Sequence, residues 1–204
     1  MIEFFEWVRS NKEASRPWLV LGKGPSFERH KDFPNIDKDY CTIGLNHVCR
    51  QRRVLIAHMI DAAVLNEVPD FEAGASFIMM PWQPHFSCAP TDKTLDQLTK
   101  EHRVLKSFEA RGRLLWYNLS TGNRPRQGSP SVMVNYFSAE AVVRLLAMAR
   151  VKKIRTLGVD GGKAYAQSFK DMKPLSGGHN TFDIQAAPIQ KTVLDFGLDY
   201  GPLA

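Results

Sequence analysis

The chain has 204 residues, 44% hydrophobic and 24% charged, with a formal net charge of +6 and a pI near 9.3. That length holds one substantial core and demands no second. No apolar run approaches a membrane span, the N-terminus lacks a secretion signal's long apolar region, and three cysteines without C-x-x-C spacing argue against a disulfide framework or zinc site. Cys41, Cys49 and Cys88 fit a reducing compartment. Cytoplasm is therefore the expected location, the inner face of a membrane being a place for peripheral association. The positive balance favours an anionic partner such as a nucleotide, an acidic sugar, nucleic acid or a lipid headgroup.

In chain order, Met1 to Asn11 reads as a short helix with Phe4, Trp7 and Val8 on one face. The apolar run Trp18-Leu-Val-Leu stops at Gly22-Lys23-Gly24-Pro25-Ser26. The run is too short for a helix and reads as a buried strand. The glycines permit a tight turn and close approach of another molecule to the backbone. Pro25 suits a first helical turn, whose free amides favour an anion. There is no third glycine and no Gly-Lys-Ser/Thr, so neither the dinucleotide fingerprint nor the P-loop is present.

Further strands are expected at Tyr40–Leu45, ending in Asn46-His47, then at Arg53–Ala57, followed by His58 and Asp61. Ser76–Met80 and Arg113–Tyr117 read likewise, with a charged helix over Asp92–Ala110 between them. A polar loop, Ser120–Gly128, leads to the longest helical pattern, about Ser131–Arg150, with Tyr136, Val142, Val143, Leu146 and Ala149 on one stripe. Lys153–Gly158 is a sixth strand, running into Asp160-Gly161-Gly162. A loop over 161–182 carries Tyr165 and His179 and reads as an active-site lid before a final helix, about Asp183–Phe196. Strands alternating with helices or long connections predict an α/β fold, one domain with a mostly parallel sheet covered on both faces.

In such a fold the polar residues after strand ends gather along one sheet edge. Those residues are Lys23, Ser26, Asn46, Asp61, the Gly128-Ser129-Pro130-Ser131 entrance of the long helix, and Gly158 to Asp160, with Tyr165 and His179 beyond. Each has an ordinary structural use as turn former, N-cap or loop anchor. Jointly they describe a nucleotide-sized polar cleft.

Val20-Leu-Gly-Lys-Gly-Pro-Ser26, Gly44-Leu-Asn46, Lys153-Ile-Arg-Thr-Leu-Gly-Val-Asp160 and Gly178-His179-Asn-Thr-Phe-Asp183 occur in that order. Together they resemble bacterial sialyltransferases of the Campylobacter type, and the wider Kdo-transferase-like and MptE-like domains. The likeness runs through nearly the whole chain as sparse motifs. It implies a Rossmann-like, GT-A-like variant fold and transfer of an acidic sugar, sialic-acid- or Kdo-like, from a CMP-activated donor to a glycan hydroxyl. No metal or separate cofactor is expected. Gly22, Lys23, Gly24, Pro25, Ser26, Asn46, Asp61 and Gly158 would surround the nucleotide, with Gly128, Ser129 and Ser131 at the helix entrance.

The same likeness makes Tyr165 a hydrogen-bond donor to the leaving phosphate and His179 the general base, with Asp160 beside them. A histidine's ordinary pKa of about 6.5 suits that work near neutrality. Lys23 stands where these sialyltransferases carry asparagine, and Gly161-Gly162-Lys163 where a second phosphate tyrosine is expected. Lys23 or Lys163 would then supply charge in place of hydrogen bonds. Two rivals are an MptE-like diphosphokinase using Mg·ATP, with Asp61 and Asp160 on the metal, and a nucleotide- or nucleic-acid-binding module without chemistry. Aromatic residues do not interleave with the basic clusters, which disfavours a specific nucleic-acid partner. A retaining mechanism with an aspartate nucleophile is a further alternative.

Overall fold

The computed structural model describes residues 1–172 and 179–204. Eleven strands form among them: β1 (Ile2–Glu3), β2 (Trp18–Leu21), β3 (Cys41–Leu45), β4 (Val54–His58), β5 (Ala75–Pro81), β6 (His85–Phe86), β7 (Ala89–Pro90), β8 (Leu114–Leu119), β9 (Ser131–Val132), β10 (Lys153–Leu157) and β11 (Asp199–Pro202). Eight helices connect them: α1 (Phe4–Ser10), α2 (Ile36–Asp39), α3 (Val64–Glu67), α4 (Phe71–Gly74), α5 (Leu95–Glu101), α6 (Arg103–Ala110), α7 (Ser138–Met148) and α8 (Ala186–Phe196).

Nine strands make one sheet in the order β1-β8-β5-β4-β3-β2-β10-β11, with β9 beside β8. Every pairing in it is parallel. β6 and β7 form a separate antiparallel hairpin. Burial on both faces explains why the central strands read as unbroken apolar runs. Trp18 and Val20 turn to the face covered by α1, α7 and α8, while Leu19 and Leu21 turn to the face covered by α5, α6 and the short α2 to α4. The α/β class with helices on both faces is thus as the sequence predicts.

From β2 the chain steps outward through β3, β4 and β5 to β8. It then returns through α7 to β10, on the other side of β2. The strand order therefore reverses between β2 and β10. In open α/β sheets the crevice beyond the carboxyl ends at such a reversal is where ligands bind.

Several predicted boundaries change. The first residues are a strand, β1, before α1, which buries Phe4, Phe5 and Trp7. The charged helix over 92–110 is two helices that meet at His102. The long helix begins at Ser138 rather than Ser131, because Ser131 and Val132 pair with Asn118 and Leu119 of β8. The backbone amides of Asn135 and Tyr136 donate instead to the buried Glu140 carboxylate, at 3.0 and 3.1 Å, which ties down the segment before the helix. Tyr136 therefore stands off the helical stripe, 46% exposed. Among the described residues no helix is long and apolar enough to cross a membrane.

Candidate functional site

The two loops at the strand-order reversal are bound to each other. The Gly22 amide donates to the Leu157 carbonyl and the Gly24 amide to the Gly158 carbonyl, each at 2.8 Å. A Cβ on Gly22 would lie 2.2 Å from the Gly158 carbonyl oxygen, and one on Gly158 would lie 2.3 Å from that of Gly22. Gly158 also has φ +69°, so both positions require glycine to let the loops touch. A Cβ on Gly24 would meet the Asp160 carboxylate at 2.6 Å. The close approach that the sequence suggested for a ligand is made by the protein's own backbone.

Asp160 completes this junction. Its carboxylate accepts from the Ser26 amide at 2.7 Å and the Ser26 hydroxyl at 2.6 Å. The Ser26 Oγ in turn accepts from the Gly158 amide at 2.7 Å. Pro25 opens a 3-10 turn, Pro25–Asp32, that drives Phe27 into the core. The anion held by the Ser26 amide is Asp160.

Beyond this junction a cleft of about 970 Å³ opens along the carboxyl edge of the sheet. Gly22, Lys23, Gly24, Asn46, Asp61, Gly158, Asp160, Tyr165 and His179 line it. Pro25 and Ser26 are not among its lining residues, nor are Gly128, Ser129 and Ser131. Gly128 is exposed, with φ +87°. The Ser129 hydroxyl donates to the Glu3 carboxylate at 2.7 Å, and the Asn118 amide donates to the Ser129 and Arg126 carbonyls. These bonds hold the 120–132 loop to β1 and β8, so Gly128, Ser129 and Ser131 do not form a helix entrance. The segment from Val134 to Ala139 takes that place at the cleft, where the Ser138 hydroxyl lies 3.5 Å from Asn46 Oδ1.

One wall is aromatic. His179 packs edge-on against Phe137 at 4.9 Å and Tyr136 at 5.9 Å between ring centroids. Phe182 links Phe137, at 5.3 Å, to Tyr165, on which it stacks at 5.5 Å. His179 and Tyr165 are thereby positioned on one continuous surface. Burial raises the Tyr165 phenol above its ordinary pKa, keeping it a protonated donor. The expected lid spans 161–182, of which Lys173–Gly178 lie outside the described residues. Thr181 and Asp183 secure its described end, with the Asp183 carboxylate accepting from the Gly162 amide at 2.9 Å.

The opposite wall comes from the turn after β3, where Asn46 adopts φ +53°. His47, which the sequence showed only as part of a polar pair after an apolar run, donates from Nε2 to the Glu67 carboxylate at 2.6 Å. Burial, and next the Lys23 charge, lower its pKa despite Glu67. Its buried Nδ1 has no partner among the described residues. Arg50 donates to Asp171 at 2.9 Å. The Lys23 ammonium lies 4.3 Å from the centre of the Tyr165 ring. Burial lowers its pKa from 10.5 to about 8, with Glu67 opposing and Arg50 assisting the shift. Lys163 is exposed and is not among the lining residues.

Asp61 stands on the far rim. Its Oδ1 accepts from the Ala63 amide at 2.8 Å and its Oδ2 from the Cys88 amide at 3.3 Å. Nearby, His85 pairs with the Thr121 hydroxyl at 2.9 Å. Among the described residues no three His, Cys, Asp or Glu side chains cluster as metal ligands. His47, Arg50, Glu67 and Asp171 are the site residues that sequence reasoning missed. They reach the cleft from three separate connections, His47 and Arg50 from the turn after β3, Glu67 from α3 and Asp171 from the loop after β10. Comparison of the chain with protein-family models, with curated proteins and with solved structures gives no match.

Proposed function

We propose that the chain is a glycosyltransferase that moves an acidic sugar from a CMP-activated donor to an acceptor hydroxyl. The observation that carries the reading is that Tyr165, with the Lys23 ammonium against its ring, shares one aromatic wall with His179 in the cleft at the strand-order reversal, which Asn46 also lines. A nucleotide sugar fits the volume and the mixed lining of such a cleft.

In this reading the acceptor oxygen attacks the anomeric carbon as the bond from that carbon to the phosphate oxygen breaks. The bonding electron pair leaves with the phosphate, and His179 takes the acceptor's proton. The Tyr165 hydroxyl donates to the phosphate oxygen as charge develops there. Gly22, Gly24 and Gly158 shape the floor through which the ligand meets the sheet edge. Ser26 and Asp160 act one step removed, by fixing the two loops to each other. Asn46, held beside Ser138, presents its amide to the nucleotide.

A thermal-shift panel of CMP, CDP, UDP, GDP, ATP and S-adenosylmethionine, each with and without Mg²⁺, tests the reading. Ligand at a hundred times its dissociation constant stabilises by about 2.7 kcal/mol. CMP is expected to give the largest shift without Mg²⁺. A shift with Mg·ATP and none with CMP would replace this reading with the diphosphokinase.

A further inference from the structure

The charged groups of the cleft are unevenly matched. Asp61, Glu67, Asp160 and Asp171 are its carboxylates, and Lys23 and Arg50 its only lysine or arginine among the described residues. Each carboxylate is engaged: Asp61 by two backbone amides, Glu67 by His47, Asp160 by Ser26 and Asp171 by Arg50. Arg50 is thereby paired as well. Among the described residues no carboxylate stands within ion-pair distance of the Lys23 ammonium, which rests against the Tyr165 ring. The main chain on either side is fixed, since the Gly24 amide binds Gly158 and the Lys23 carbonyl accepts from the Ala166 amide at 2.7 Å. A half-buried cation is thus held against the aromatic wall with no direct ion pair among the described residues, Glu67 acting on it only from beyond contact distance.

The geometry points to Lys23 as the anchor for one phosphoryl group, in a cleft whose fixed charges accept a single phosphate and disfavour a polyphosphate. The inference rests on the donor reading above and adds to it the residue that sets how much phosphate the site takes. One phosphodiester charge matches one ammonium. A second or third phosphate meets four carboxylates and no further unpaired lysine or arginine among the lining residues. The cation also serves the transfer, because the phosphate gains a negative charge when the sugar leaves and the ammonium is already beside it.

Lys23 titrates near pH 8, so its charge state enters binding. The groups that act on it are Glu67 from α3, His47 and Arg50 from the turn after β3, and the Tyr165 ring from the loop after β10, with Asp171 held off on Arg50. Burial holds Tyr165 protonated above its ordinary range and keeps His47 below its own. Those shifts carry Tyr165 and His47 away from the range between pH 7.5 and 9.5, whereas burial brings the Lys23 ammonium into it. A phosphate stabilises the ammonium, so affinity falls as pH rises through about 8.

Isothermal titration of the full chain, its Lys23→Met and Lys23→Arg variants, with cytidine, CMP, CDP, the other nucleoside monophosphates and Mg·ATP, tests the anchor. For the wild type, CMP is expected to bind more tightly than cytidine, with CDP no tighter than CMP. Raising the pH from 7.5 to 9.5 should weaken CMP by roughly tenfold. Lys23→Met should weaken CMP by tenfold or more, leave cytidine unchanged and abolish the pH dependence. Lys23→Arg, which stays charged, should hold its affinity at pH 9.5. Melting temperatures of both variants report whether they fold.

Wild-type affinity for CMP in Lys23→Met overturns the anchor while leaving the CMP donor standing. If another nucleoside monophosphate binds instead, and Lys23→Met weakens it, the anchor stands and the CMP donor falls. Tighter binding of CDP or Mg·ATP than of any monophosphate overturns the single-phosphate inference. Binding of no phosphate compound overturns both.

Discussion

The two sides of the cleft floor differ in what they leave free. At the junction of Gly22–Ser26 with Gly158–Asp160, donors and acceptors are spent on one another: two backbone bonds, two bonds into one carboxylate and a glycine-to-glycine contact. Among the described residues, the Lys23 ammonium makes no direct ion pair and His47 Nδ1 has no partner. The motif that looks most like a ligand loop is mainly a clasp. The groups suited to a ligand are the residue inside it that points away, and the walls it holds apart.

The clasp should fail first when substituted. Gly158→Ala adds a Cβ against the Gly22 carbonyl and strains a φ of +69°. It is expected to cost several kcal/mol, ~3 or more, in urea unfolding. Gly162→Ala makes the control, since Gly162 has φ +75° but open space around it. It should lose only about 1–2 kcal/mol. Equal losses at the two sites would mean that the junction is not tight.

The open wall should behave oppositely. His179→Ala is expected to lower turnover by about 10²–10⁴-fold while barely changing donor affinity or the unfolding midpoint. Full transfer by this variant with a demonstrated substrate would remove the base assignment. Ser26→Ala separates the two regions further, because the hydroxyl links Asp160 to the Gly158 amide. A loss of about 1.5–3 kcal/mol is expected from a bond to a charged acceptor, with turnover of the folded fraction little altered. A large activity loss at unchanged stability would move Asp160 from the clasp to the chemistry.

The smallest effect per step comes from beneath the cleft. His58 is fully buried, its Nε2 lies 2.9 Å from the Tyr117 hydroxyl, and burial lowers its pKa from 6.5 to about 3. Below pH 6.5 the unfolded chain binds a proton that the folded chain refuses. Stability should therefore fall as pH drops from about 6.5 toward 3, by up to about 1.4 kcal/mol for each pH unit from this group. A His58→Gln variant with the same acid profile in urea titrations would assign the slope elsewhere.

The six central strands were legible because burial on both faces writes them as continuous apolar runs. β1, β9 and β11 were not, being two to four residues long and carrying glycine and proline in β11. The stretch Ser131-Val-Met-Val134 suits a strand as well as a helix start, and its pairing with β8 decides between them. The gathering of Gly24, Asn46 and Asp160 at one edge followed from strand ends, while Tyr165 and His179, in the loop beyond, were singled out by the likeness to sialyltransferases. The polar groups gathered around the cleft beyond these did not, because His47, Glu67 and Asp171 come to it from separate connections whose crossings no local pattern specifies.

The reversal of strand order also bears on how the chain is made. β2 has β3 on one side soon after synthesis, but its other neighbour pairs Trp18 with Ile154. At about 5–20 residues per second, that neighbour emerges on the order of ten seconds later. Until then the most apolar strand of the sheet presents a row of unpaired amides and carbonyls, the kind of edge that recruits other chains. The clasp cannot close in that interval either, since Gly158 and Asp160 have yet to appear. A nascent chain stopped before β10 is thus expected to carry a sticky, half-built centre, and the last quarter of the sequence to act as the step that seals it.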